Sequence, residues 1–303
     1  MDLTGRSAVV TGAGRGLGRA YSEALAAAGA CVGVNDLDGD LAEGTAAAIT
    51  GAGRRAVSHV GAVGTAEVAD ALVATAVDAF GRLDIMVTNA GILRDRVLWK
   101  MSDDDFDDVV RVHLRGTFTC ARAAAVHFRA QGEGGRLILT GSPAGQAGNF
   151  GQGNYAACKA GITAMARTWA MELARADVTV NCIVPTAATE MTRTIPAFAP
   201  HIEAHEAHDR PLPGWLRAGA ALGTPDDDAG LVVVLASAEG ADVTGQTIGL
   251  GGDRLALWSY PTEVAAAYRD GGWIADQIAR VWPTSVGRHP QSYGIPPVEE
   301  PTA

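Results

Sequence analysis

A chain of 303 residues, 48% hydrophobic and 19% charged, has enough apolar material to bury one large core or two small ones. Its net charge of −10 argues against nucleic acid and anionic membrane surfaces as main partners, though not against a phosphate-bearing ligand held by local geometry. The four cysteines, Cys31, Cys120, Cys158 and Cys182, show no C-x-x-C pair and no metal-ligand spacing, so no metal is expected and each reads as a small hydrophobe in a reducing compartment.

A strand over residues 7–11 starts so early that no signal peptide fits before it. No apolar run approaches the roughly 20 residues that a membrane helix needs. The expected location is the cytoplasm. Further strands are predicted at 31–35, 56–60, 85–88, 137–140, 178–183 and 247–250, with Ala-rich helical periods between them, among them 17–28, 67–80 and 155–173. Strands alternating with helices imply βαβ units. The expected fold is α/β: a doubly wound, seven-stranded parallel sheet with helices on both faces and ligands bound beyond the carboxyl ends of the strands. Residues 1–253 form the expected dinucleotide-binding and catalytic domain. Residues 185–223, rich in Pro, His and Ala, read as a lid. Residues 254–303 form a C-terminal extension, first aromatic and then Pro-rich, that either caps the pocket or covers a partner subunit.

The first strand runs into Thr11-Gly12-Ala13-Gly14-Arg15-Gly16-Leu17-Gly18 and then a helix. A Gly-rich turn there lets the backbone approach a pyrophosphate and offers it a helix N-terminus. Asp36 ends the second strand, 18 residues after Gly18. A carboxylate at that place accepts hydrogen bonds from adenosine ribose hydroxyls and repels a 2′-phosphate, which favours NAD over NADP. Arg15 pulls toward NADP as a single flexible guanidinium at the edge of the loop.

Tyr155-Ala156-Ala157-Cys158-Lys159 places a phenol and an ammonium on one helical face. A nearby ammonium favours the phenolate, so Tyr155 can act as base toward an alcohol or acid toward a ketone. Ser142, 13 residues earlier and just after the fifth strand, is placed to hold the substrate oxygen.

With these residues in this order, the chain resembles the short-chain dehydrogenase/reductase family from residue 1 to about 253. The resemblance implies a nicotinamide cofactor and hydride transfer between a secondary alcohol and a ketone. It adds Asn89-Ala90-Gly91 after the fourth strand, Ala62 and Val63 after the third, and Pro185 and Thr189 after the sixth as cofactor contacts. It also gives Lys159 a grip on the nicotinamide ribose. His113 stands where most of the family has Asn in a proton relay, and as an imidazole it is expected to titrate near neutrality. Ala62 stands where an Asp usually meets the adenine, and Pro185-Thr186 replaces Pro-Gly. Within the family, Val34-Asn35-Asp36-Leu37, Asn89 through Arg96, Val112-His113-Leu114-Arg115-Gly116-Thr117-Phe118 and Gly148-Asn149-Phe150-Gly151-Gln152 resemble the (3R)-hydroxyacyl-CoA dehydrogenase branch of peroxisomal multifunctional enzymes and their bacterial relatives. That branch implies an acyl-CoA substrate, fatty or sterol-derived, and a homodimer or homotetramer. The alternatives are a free hydroxysteroid or other ketone dehydrogenase and, from another class, a cofactor-sensing protein without chemistry.

Three other features have simpler explanations. His201, His205 and His208 share one face of any lid helix but lack a fourth ligand. Ser102 followed by Asp103 through Asp108 reads as a capped helix start rather than a cation site. Arg94, Arg96, Arg193 and Arg217 are candidates to meet coenzyme A phosphates, and the sequence does not choose among them.

Overall fold

The computed structural model describes residues 1–208 and 210–296. In chain order, β1 is Ser7–Thr11, α1 Gly16–Ala27, β2 Cys31–Asp36, α2 Gly39–Gly51, β3 Ala56–Val60, α3 Ala66–Phe80 and β4 Ile85–Thr88. Next come α4 (Asp103–Val109), a π-helical turn over Val110–Arg115, α5 (Gly116–Gln131), β5 (Gly135–Thr140), α6 (Pro143–Ala147) and α7 (Gly153–Leu173). The remainder holds β6 (Val178–Pro185), α8 (Ala199–His208), α9 (Gly214–Gly219), α10 (Pro225–Ala236), β7 (Thr247–Gly251), β8 (Arg254–Leu257) and α11 (Ala275–Val281).

The strands form one sheet in the order β3-β2-β1-β4-β5-β6-β7-β8. Side chains alternate across it with the period of two that a strand dictates. Ala8, Val10, Ile85, Val87 and Ile138 face a core shared with α1, α2 and α10. Val9, Met86, Leu137 and Leu139 face another, shared with α3, α5 and α7. Both faces of the sheet are covered, which is why its strands read as continuous apolar runs.

The expected count of seven strands is corrected to eight. β8 pairs antiparallel with β7, Gly251 opposite Arg254, and Gly252 at φ +52 supplies the left-handed residue that a two-residue turn needs at its first position. The boundary drawn at residue 253 therefore falls inside a hairpin, and the extension begins as the sheet's last strand. It then runs back over the molecule, where the Gly294 amide donates to the Ala147 carbonyl at 2.6 Å. Pro290 and Pro296 lie in backbone without regular structure, while Pro297 and Pro301 fall outside the described residues.

The segment 185–223 is not a plain loop. It contains α8 and α9, and Phe198, Ile202, Leu212, Leu216 and Leu222 bury one another in a small core of their own. Among the described residues no helix is long and apolar enough to cross a membrane.

Candidate active site

β1 and β4 are neighbours whose chains leave the sheet in opposite directions, so a crevice opens between their carboxyl ends. The loops after the two strands are locked together across it. Asn89 Nδ2 donates to the carbonyls of Thr11 (3.1 Å) and Gly12 (3.0 Å), and Thr11 Oγ1 accepts from the amides of Asn89 and Ala90. Such close approach leaves no room for side chains. A Cβ on Gly12 would lie 2.7 Å from Ala90 Cα, and one on Gly18 would lie 2.2 Å from the Gly12 carbonyl oxygen. The first turn of α1 carries no acidic residue, so its N-terminal amides present an uncontested positive end.

Asp36 lies at the rim of this cradle. Its Oδ2 accepts from the Gly14 amide at 2.9 Å and its Oδ1 from the Asp38 amide at 3.1 Å, which leaves lone pairs for a ribose. Arg15 immediately precedes α1 with an exposed side chain and, among the described residues, no ion pair. Leu17 is half-buried against the core and Gly16 faces Thr189, for a Cβ on Gly16 would lie 3.6 Å from Thr189 Cγ2. Past β3, Ala62 is exposed, and Val63 is buried against Gly116 of α5. Pro185 ends β6, four residues before Thr189. The loops after β1, β4 and β6 thus meet at one crevice, with Asp36 at the end of β2 on its rim. Its glycine cradle, free helix end and carboxylate fit a nicotinamide dinucleotide, with Gly12, Gly16, Gly18, Asp36 and Lys159 as the residues to hold it.

The catalytic candidates converge at the carboxyl end of β5. Ser142 caps α6, its Oγ accepting from the Ala144 amide at 3.2 Å, so its own proton remains free to donate. Tyr155 and Lys159 lie in the first two turns of α7, both buried. Lys159 Nζ donates to the Thr140 carbonyl at 2.6 Å and sits 5.5 Å from the Tyr155 ring centroid. Tyr155 Oη lies 4.0 Å from Met191 Sδ, which brings the lid to the phenol.

Electrostatics here depart from the sequence expectation. Burial pushes the Tyr155 phenol above its ordinary 10.0, with the Ser142 hydroxyl pulling the other way and the Asp95 charge adding to the rise. Burial also brings Lys159 from 10.5 down to about 8. In the protein alone, burial of the phenol prevails over any pull from the ammonium 5.5 Å from its ring. The expected depression of Tyr155 by Lys159 is therefore absent in the protein alone.

His113 is a second correction. It lies in the π-helical turn, fully buried, with its pKa brought down to about 3 by burial and then by the Lys159 charge. It is neutral throughout the working range and does not titrate near neutrality. Its Nε2 lies 3.0 Å from the Ile92 amide and 2.8 Å from the Ile92 carbonyl, while Nδ1 has no partner among the described residues. Gly91 is required beside it, since a Cβ there would meet His113 Cε1 at 2.4 Å. The imidazole thus fixes the 89–92 loop against the helix.

One positioning residue escapes the motif reading. Asn154 Nδ2 bonds the carbonyls of Arg94 (3.1 Å) and Asp105 (3.0 Å), and its Oδ1 accepts from the Tyr155 amide. An amide side chain immediately before the candidate Tyr155 is the only signal the sequence offers. The histidines of 201–208 go elsewhere: His201 meets Trp215 edge to face and His205 Nδ1 meets the Arg210 carbonyl. Among the described residues no group of His, Cys, Asp or Glu gathers to hold a metal. The acidic run is a capping box, Ser102 and Asp105 exchanging side-chain to backbone bonds.

Comparison with known proteins agrees with this geometry. Residues 6–199 match the family model described as short chain dehydrogenase. The hydroxyacyl-CoA dehydrogenase ChsB1 of Mycobacterium tuberculosis is 44% identical over 272 residues, 86% of this chain and 81% of that protein. Peroxisomal multifunctional enzyme type 2 of Mus musculus is 46% identical over 204 residues, 64% of this chain but only 27% of that longer protein. A crystal structure of a short chain dehydrogenase from Mycobacterium avium superposes with a TM-score of 0.83 at 34% identity, covering 97% of this chain and 99% of that one.

Proposed function

This chain belongs to the short chain dehydrogenase family, and from that premise we propose that it is an NAD-dependent dehydrogenase of 3-hydroxyacyl-CoA thioesters, fatty or sterol-derived. It is an oxidoreductase that works with a nicotinamide cofactor on a small-molecule substrate. The observation that carries the reading is the gathering of Ser142, Tyr155 and Lys159 at the end of β5, beside a cradle built for a dinucleotide. The thioester is supported by the 44% identity to a hydroxyacyl-CoA dehydrogenase across most of both chains. NAD is supported by the Asp36 carboxylate where a 2′-phosphate would have to sit.

In the oxidative direction Ser142 donates its free proton to the substrate oxygen, and Tyr155 accepts the hydroxyl proton. In the reductive direction Tyr155 returns it. One donor of Lys159 is committed to Thr140, so two remain for the hydroxyls of a ribose. His113 keeps the 89–92 loop in place without exchanging protons. When bound, the nicotinamide supplies the hydride acceptor and, oxidised, a positive charge that favours the phenolate. A homodimer or homotetramer belongs to the same reading, with Phe118 and Val126 of α5 and Met171 of α7 exposed on the single chain.

The test is the absorbance of reduced nicotinamide, followed with NAD and then NADP against 3-hydroxyacyl-CoA thioesters and free hydroxysteroids. Turnover of thioesters with NAD is expected, and Tyr155→Phe is expected to lower it on the order of a thousandfold. Turnover of steroids alone would overturn the substrate, and near-normal turnover by Tyr155→Phe would overturn the mechanism.

A further inference from the structure

We infer that Arg96 is the anion contact for the coenzyme A phosphates at the mouth of the active site; this rests on the thioester reading above. A nucleotide handle with several negative charges must find local cations, because a chain of net charge −10 offers no general attraction.

The structure discriminates among the four arginines that the sequence leaves equal. Arg217 is committed to Asp227 (2.9 Å) and Asp253 (2.8 Å). Arg193 is committed to Glu190 (3.4 Å) and Glu206. Arg94 leans on Asp108 (3.6 Å), the carboxylate that also holds Arg111. Arg96 alone of the four has no ion pair among the described residues, its Nη1 reaching only the Asp95 carbonyl at 2.8 Å. The neighbouring Asp95 carboxylate is taken up by Gln152 Nε2 at 2.8 Å.

Its place is as telling as its freedom. The Arg96 amide donates to the Gly151 carbonyl at 2.8 Å, and Arg96 and Gln152 form an isolated parallel bridge. Gln152 is three residues before Tyr155, at most about 10 Å along extended chain. Asn154 ties the same strip down through the Arg94 carbonyl. A free guanidinium is thus fastened to the segment that carries the catalytic phenol. Around it, the same two loops expose Leu98 (87%), Trp99 (77%) and Phe150 (85%). Large apolar side chains left in water next to a reaction centre mark a ligand surface. A thioester whose reacting carbon lies at Tyr155 would lay its pantetheine arm along these side chains and bring its phosphates to Arg96. Arg suits the task because its planar fork matches two phosphate oxygens at once. A free hydroxysteroid would make no use of it.

The experiment compares a 3-hydroxyacyl-CoA with the N-acetylcysteamine thioester of the same acid, which lacks the nucleotide. For wild-type enzyme we expect a clear preference for the CoA ester that weakens with added salt. In Arg96→Gln the KM for the CoA ester should rise about 10- to 100-fold with kcat kept, so that the preference falls by the same factor and loses its salt dependence. Arg96→Lys should recover part of it. An Arg96→Gln variant that weakens both esters equally, or neither, overturns the assignment. A wild-type enzyme that turns over free hydroxysteroids but neither ester overturns the thioester reading itself.

Discussion

The ammonium of Lys159 is held on the Thr140 carbonyl at 2.6 Å, both residues buried, at the end of the strand that leads to Ser142. Burial brings Lys159 to about 8 from its ordinary 10.5. The unfolded chain keeps that proton up to 10.5 while the folded one releases it near 8. Stability therefore rises with pH between those values, and below pH 8 folding carries the full cost of burying a charge, about 3 kcal/mol. Lys159→Met removes the charge but strands the Thr140 carbonyl, which cancels about 1–2 kcal/mol of the gain. The cofactor-free variant should be inactive yet about 1–2 kcal/mol more stable than wild type at pH 7, with the advantage shrinking toward pH 10. Denaturant unfolding at the two pH values checks this. A variant less stable at pH 7 would mean that Thr140 stabilises the ammonium outright.

His113, held neutral by burial, should leave no inflection in kcat/KM between pH 5 and 8. His113→Asn removes any possible imidazole titration and loosens the Ile92 contact, so kcat/KM should fall about tenfold with an unchanged profile. Profiles of the two enzymes decide the matter. An acid limb near 6.5 that disappears in the variant would show that the imidazole does titrate.

Much of this site was legible because its signals are local. A glycine cannot be replaced where Ala90 and the Gly12 carbonyl approach within 3 Å of where a Cβ would stand, so the loop is written into residues 12–18. Tyr155 and Lys159 share a face through helix spacing alone. What stayed hidden depends on surroundings. Nothing in the letters around His113 says that the π-helical turn buries it beside a lysine. The lid read as a loop because Pro, His and Ala interrupt its pattern, although Phe198, Ile202, Leu212 and Leu216 meet across the interruptions. The four-residue β8 was missed because a strand that short carries too little alternation to be read apart from the turn before it.

Asp36 should decide the cofactor. Asp36→Ser removes the carboxylate proposed to meet the ribose and releases the Gly14 amide it holds at 2.9 Å. Lost hydrogen bonds to the ribose hydroxyls and lost repulsion of a 2′-phosphate act in the same direction. The kcat/KM ratio of NADP to NAD should rise about 100-fold or more, helped by the free guanidinium of Arg15. Initial rates with both cofactors measure it. An unchanged ratio would place the ribose elsewhere.

Asp228 and Tyr21 pose a question of stability rather than catalysis. Asp228 lies in the first turns of α10, 2% exposed, where that helix packs on α1. Among the described residues no well-formed hydrogen bond reaches either of its carboxyl oxygens, since the nearby Thr186 amide is given to the Leu250 carbonyl at 3.0 Å, and the buried Tyr21 hydroxyl of α1 has no partner either. Burial, and then the charge of Asp227, raises Asp228 from 3.8 to about 8 against a smaller opposing pull from the Thr186 amide. The folded protein thus holds a proton that the unfolded chain has already shed. Between pH 4 and 8 the native state binds more protons than the unfolded one, so stability falls as pH rises through that window, by on the order of 5 kcal/mol at most. Asn has the shape of a protonated carboxyl and does not titrate. Asp228→Asn should match wild type near pH 4 and exceed it by a few kcal/mol at pH 8. Denaturation midpoints at both values are the measurement. Parallel pH curves for the two proteins would mean that Asp228 is charged in the fold, with its partner in solvent that the packing of α10 on α1 admits.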